Sequence, residues 1–161
     1  MCEWLDEEIA GKIVIIGIGN EIRNDDIAGL KIIEKLQGKL PERIKLINCG
    51  QVPENYSKEI IEFDPDNIII FDVVDFKGVP GEIKKIETDS IEGFSFSTHN
   101  YDLSLFIKYI HNFIKTEFFI IGIQPKSISL GEELSYEVKK SVEKIVSTIL
   151  KKFKQPGPEN I

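Results

Sequence analysis

The chain has 161 residues, enough for one well-buried domain and too few for two of ordinary size. With 20 Lys and Arg against 27 Asp and Glu it carries a net charge of -7, which argues against nucleic acid or an anionic membrane surface as partner and for a neutral or basic one. Neither the acidic opening MCEWLDEEIA nor any later apolar run has the length of a signal core or a bilayer span, so a soluble, cytoplasmic protein is expected.

Cys2 and Cys49 stand far apart and in no C-x-x-C pairing, so neither a disulfide framework nor a thiolate metal site is encoded; Cys49 reads as a small packed residue at a strand end. The first regular element is the β-branched run Lys12 to Ile16, a buried strand that runs into the loop Gly17-Ile18-Gly19-Asn20. From Ile27 the apolar positions 27, 30, 33 and 36 share one helical face. Asp25 and Asp26 sit just before that helix, where one acid can cap the free N–H groups and meet the positive end of the dipole. The second acid needs another explanation.

Arg43 to Asn48 alternates as a second strand, ended by Cys49-Gly50, and Pro53-Glu54-Asn55 opens a short helix with Tyr56, Ile60 and Phe63 on one face. Asn67 to Phe71 is the most apolar run, too short for a helix; it reads as a central strand ending on Asp72. Lys77 to Gly81 is turn-rich, and Glu82 to Glu87 alternates as a strand near an edge. Ser97-Thr98-His99-Asn100 then precedes a helix carrying Leu103, Phe106, Ile107, Ile110 and Phe113 or Ile114. Glu117 to Ile123 is a further buried strand, Ser135 to Phe153 a long helix, and the proline-containing stretch 154–161 a loose tail, which leaves 1–153 as a single domain. Strands alternating with helices predict an α/β fold: a three-layer sandwich in which a mostly parallel five-stranded sheet has helices on both faces.

In such a sheet ligands gather beyond the carboxyl ends of the strands. Asp26 follows the first strand, Asp72 ends the third, and His99 lies in the loop entering a helix, so all three can converge at one edge. Two carboxylates and an imidazole suit a divalent ion such as nickel, zinc or manganese, and three protein ligands leave positions open for water or substrate. Each residue also has a plainer reading: Asp26 as a helix cap, Asp75 as a neighbouring or merely solvated acid, His99 as a capping histidine, and His111 as a surface residue without chemistry. A dinucleotide site is disfavoured, because the third glycine of that fingerprint would fall at Ile22 and the ribose-binding acid at Asn48.

Gly17-Ile18-Gly19-Asn20 with Asp25-Asp26, Pro53-Glu54-Asn55, the strand ending in Asp72, Pro80-Gly81-Glu82-Ile83, Thr98-His99-Asn100 and Gly122-Ile123-Gln124-Pro125 together resemble the hydrogenase maturation endopeptidases, most closely the hydrogenase 3 maturation type. The resemblance implies an α/β protease domain that acts on the precursor of a nickel-iron hydrogenase large subunit after nickel is installed, removing a short C-terminal extension. It carries metal coordination to Asp26, Asp72 and His99, catalytic roles to Asp26 and Asp72, and substrate contacts to Gly19, Asn20 and Asn100. The expected hydrolysis is of aspartic or metal-assisted type: no serine is paired to a histidine by a known motif, so water attacks. Nickel is expected to arrive with the precursor, and other divalent ions fit the same ligands. The alternative is a metal-binding hydrogenase assembly chaperone that does not hydrolyse. Two positions depart from the family pattern. Ile27 stands where a glycine usually follows the acidic pair, with a possible effect on substrate fit, and Asn48-Cys49-Gly50 replaces the usual Asp-Gly.

Overall fold

The computed structural model describes residues 3–5, 8–96 and 102–154. Within them strands and helices alternate: β1 Ile13–Ile18, α1 Ala28–Leu36, β2 Ile44–Gly50, α2 Ser57–Phe63, β3 Asn67–Asp75, β4 Ile83–Ile86, β5 Ser95–Phe96, α3 Leu103–His111, β6 Glu117–Ile123 and α4 Tyr136–Lys152. The β-branched runs of β1, β3 and β6 are buried almost from end to end, as strands covered on both faces must be.

The main sheet has the order β2-β1-β3-β6-β4, with the first four strands parallel and β4 antiparallel at the edge beside β6. This is the expected mostly parallel five-stranded sheet, and the 82–87 segment takes the edge that its alternation suggests. β5 adds two residues antiparallel to Val74 and Asp75. Side chains alternate between the faces: Ile15, Ile69, Phe71 and Ile121 pack with α1 and α4, while Ile16, Ile68, Ile70 and Ile120 pack with Ile60 of α2 and with α3. Helices therefore cover both sides, giving the three layers.

Several boundaries differ from expectation, each for a local reason. β3 continues to Asp75, because β6 pairs with it as far as Val73 and β5 pairs beyond. Asp72 is therefore inside a strand rather than at its end. A 3-10 turn, Asn24–Ile27, precedes α1, so Ile27 leaves the inward stripe, which passes to Ala28, Ile32, Ile33 and Leu36. α3 starts at Leu103, capped by the Asp102 carboxylate, which accepts from the Leu105 N–H at 3.2 Å. It ends at His111; Ile114 then covers the core and Phe113 is 58% exposed. His111 sits at an exposed position with Nε2 2.9 Å from the Thr116 carbonyl oxygen, a role in closing the α3–β6 turn. Of the tail expected over 154–161, residues 155–161 lie outside the described residues. No helix among the described residues is long and apolar enough to cross a membrane.

Candidate active site

From β1 the chain steps outward to β2 and then returns past β1 to β3. The direction of strand progression thus reverses between β1 and β3, and a reversal of this kind opens a crevice beyond the carboxyl ends of the two strands. Both acids singled out in the sequence belong to that crevice. The β1–β3 pairing stops at Gly17 and Phe71, so Asp72 is the first residue of β3 beyond that pairing. Asp26 lies in the 3-10 turn that leaves β1, and this turn packs against β3.

Glycines make the close approach possible. A Cβ on Gly17 would come 2.3 Å from the carbonyl oxygen of Gly29, and one on Gly29 would come 2.6 Å from that of Phe71, the residue before Asp72. The first turn of α1 therefore lies directly on the backbone of β1 and β3. Gly19 is equally constrained: a Cβ there would meet the Asp26 carbonyl oxygen at 2.1 Å. The Gly17-x-Gly19 pattern thus serves strand-to-helix packing and the folding of the acid loop, as its poor match to a nucleotide fingerprint suggests.

Asp26 and Asp72 are 1% and 0% exposed. A buried carboxylate is costly unless hydrogen bonds, a countercharge or a cation compensate it. One oxygen of Asp72 accepts from the Val73 N–H at 2.7 Å. Asp26 does not occupy an N-cap position: the N-cap residues of the 3-10 turn and of α1 are Arg23 and Ile27. The backbone of Asp26 is held on both sides: its N–H donates to the Arg23 carbonyl at 2.9 Å and its carbonyl accepts from the Asn20 N–H at 3.1 Å. Asn20 also turns the loop through its side chain, which accepts from the Ile22 N–H at 3.1 Å.

Asp25, the other member of the pair, faces away from this role. Its carboxylate is 0% exposed and accepts from the N–H groups of Lys126, Ser127 and Ser135 and from the Ser135 hydroxyl, at 2.7 to 3.1 Å. Ser135 is in turn the N-cap of α4, accepting from the Val138 N–H at 3.3 Å. Sequence reasoning saw a surplus acid here but not its partners, which are about a hundred residues away.

Gln124, 7% exposed, was prominent only as part of a motif; the structure gives it a specific task. Its Oε1 accepts from the N–H groups of Phe76 (2.9 Å) and Gly78 (3.0 Å), and its Nε2 donates to Asp75 at 3.1 Å. The loop that leaves β3 is thereby fastened to the end of β6. The Lys77 N–H and then the Gln124 amide hold the Asp75 carboxyl below its ordinary value. Asp75 is therefore a loop-fastening acid.

Of the three candidate ligands, the structure brings Asp26 and Asp72 to one crevice. His99 and Asn100 lie outside the described residues. Among the described residues no three His, Cys, Asp or Glu side chains gather as a metal-binding group. Cys49 is 2% exposed with a free thiol that burial, and then Glu59 and Glu54, push up; this keeps it protonated and suits a packing role. Ile27 adopts φ -79, ψ -9, a conformation open to every residue, so the backbone there does not require the family's glycine.

A family model for hydrogenase maturation proteases matches residues 30–152, which spans the fold from α1 onward but begins after the acidic pair. The protein MJ0631 of Methanocaldococcus jannaschii is 40% identical over 147 residues, covering 86% of each chain. The hydrogenase 3 maturation protease of Escherichia coli K12 is 32% identical over 82% of this chain and 85% of its own. Among solved structures, the nickel-iron hydrogenase maturation protease HycI of Thermococcus kodakarensis superposes with a TM-score of 0.83 at 33% identity, covering 90% of this chain and 94% of that one. The agreement in sequence, in fold and in the extent of chain matched shows that this protein belongs to the hydrogenase maturation protease family.

Proposed function

We propose that the chain is the endopeptidase that removes a C-terminal extension from the nickel-loaded precursor of a nickel-iron hydrogenase large subunit. One observation carries this reading: Asp26 and Asp72 are both buried, one in the turn that leaves β1 and packs against β3, the other on β3 where its pairing with β1 stops. Two carboxylates in such a crevice fit a divalent cation, which would offset the cost of burying them. His99 supplies the third ligand. Its segment is bracketed by Phe96, paired with Val74 two residues beyond Asp72, and by Asp102 at the start of α3. Oxygen and nitrogen ligands do not by themselves choose nickel over zinc or manganese, so the choice is made by the precursor that carries nickel in.

Asp26, Asp72 and His99 would hold the nickel brought by the precursor, and a divalent ion there would supply Lewis acidity toward the scissile carbonyl and an attacking water. Asp26 or Asp72 accepts the proton that this water gives up. Gly19, Asn20 and Asn100 are assigned the contacts with the substrate. Mass spectrometry of a nickel-loaded precursor incubated with the protein tests the reading directly. Shortening by the unmodified chain, and none by Asp26→Asn, Asp72→Asn or His99→Ala, is expected. A precursor left at full length by the unmodified chain would defeat the protease reading, and a full-length precursor found bound to it would favour an assembly chaperone.

A further inference from the structure

We infer that Asp25 is a positioning residue, whose carboxylate sets the place of Asp26 by clasping the loop after β6. The inference rests on the reading of Asp26 as a ligand and proton acceptor. Two irregular segments, residues 20–27 and 126–135, are laced together along their length. The Asp25 N–H donates to the Ser127 carbonyl at 3.0 Å, the Asn24 N–H to the Gly131 carbonyl at 2.9 Å, and the Gly131 N–H to the Ile22 carbonyl at 2.9 Å. Asn24 Oδ1 accepts from the Glu133 N–H at 3.3 Å. At the centre stands the Asp25 carboxylate, with four donors on two oxygens: Oδ2 takes the N–H groups of Lys126 and Ser127 and the Ser135 hydroxyl, and Oδ1 takes the Ser135 N–H.

The anchoring end is rigid, because Ser135 caps α4 and Val138, Val142 and Ile145 in the nearer turns of that helix are wholly buried. The other end is one peptide bond from Asp26. A carboxylate buried among four donors has little freedom to move, since leaving any of them strands a donor out of water. Asp26 inherits that fixity through its own backbone. Asp25 does not touch the substrate; its effect reaches the reaction only through its neighbour. An asparagine at 25 must turn its NH2 toward either one donor or three, so it cannot serve the same set.

The test compares the unmodified protein with Asp25→Asn, Ser135→Ala and Ile149→Val. Ser135→Ala removes one of the four donors, and Ile149→Val loosens the α4 core away from the clasp. Two quantities are read for each: the single-turnover rate of precursor shortening per folded molecule, and the carbon-13 shift of the Asp26 carboxyl group by NMR. Asp25→Asn should slow shortening about 10- to 100-fold, the scale expected for a misplaced reacting group, with Ser135→Ala slower by less. Both should move the Asp26 signal, and Ile149→Val should move neither reading. If Asp25→Asn does not fold, Ser135→Ala decides by the same criteria. An Asp26 signal unmoved by either substitution, or a rate per folded molecule equal to that of the unmodified chain, overturns the inference. If the unmodified chain leaves the precursor intact, the protease reading falls by itself, and the Asp26 signal still decides what Asp25 does.

Discussion

At the scale of single residues, adjacent identical side chains have been assigned different work by their surroundings. Asp25 is committed to backbone donors of a distant loop, and Asp26 to the crevice beside β3. Gln124 shows the same economy, with one amide serving three partners around the loop after β3. Gln124→Ala leaves the N–H groups of Phe76 and Gly78 without an acceptor, and a loss of about 1 to 3 kcal/mol is expected from the shift in urea midpoint. The pH response of Asp75 follows from the same contacts. Its carboxyl is held below the ordinary 3.8, so its contribution to stability is complete above that value and disappears as pH falls through the lowered one. Asp75→Asn should therefore be less stable than the unmodified protein at neutral pH, and urea titrations of the two should converge as the medium is acidified below 3.8.

At the scale of elements, the crevice exists because α1 can lie almost in contact with the strands beneath it. Gly29 is a poor helix former placed in the first turn, and the reason is spatial: a Cβ would stand 2.5 Å from the Ile18 carbonyl oxygen and 2.6 Å from that of Phe71. Gly29→Ala pits a gain of about 1 kcal/mol in helix propensity against overpacking of about 1 to 3 kcal/mol. The contacts are with backbone, which yields little, so overpacking should win and thermal unfolding should show a lowered Tm. Residue 27 has ordinary right-handed backbone angles, which isoleucine adopts without strain. The helix stripes of α3 and α4 were legible in the sequence because their periodicity is set by the core they cover. The 3-10 turn before α1 and the short β5 were not, because a few residues of local structure are decided by the elements they dock on.

At the scale of the whole molecule, two apolar layers, one on each face of the sheet, make up the core. Ile145, wholly buried between α4 and the sheet, should cost about 2 to 5 kcal/mol when replaced by alanine, whereas Phe113, mostly exposed, should stay within about 0.5 kcal/mol. For a chain of this size each kcal/mol lowers Tm by roughly 2 to 4 °C, so differential scanning calorimetry of Ile145→Ala and Phe113→Ala separates the two cases. On the proposed reading, in which nickel comes with the precursor, the isolated protein should bind nickel weakly. Equilibrium dialysis that finds tight, stoichiometric nickel on the purified protein would contradict supply by the substrate.

The sequence by itself determined which segments become strands and helices, since buried β-branched runs and helical stripes are local patterns that the core enforces, and it marked Asp26 and Asp72 as unusual acids. It also carried the family in a series of short motifs. Strand order was decided only in three dimensions: nothing local says that β3 returns past β1, yet that reversal is what puts two acids 46 residues apart into one crevice. The partners of Asp25 and of Gln124 were likewise hidden, because a hydrogen bond between distant segments leaves no periodic trace in either. What the chain encodes locally is which surfaces must be buried; which polar groups meet is settled by how the buried layers close.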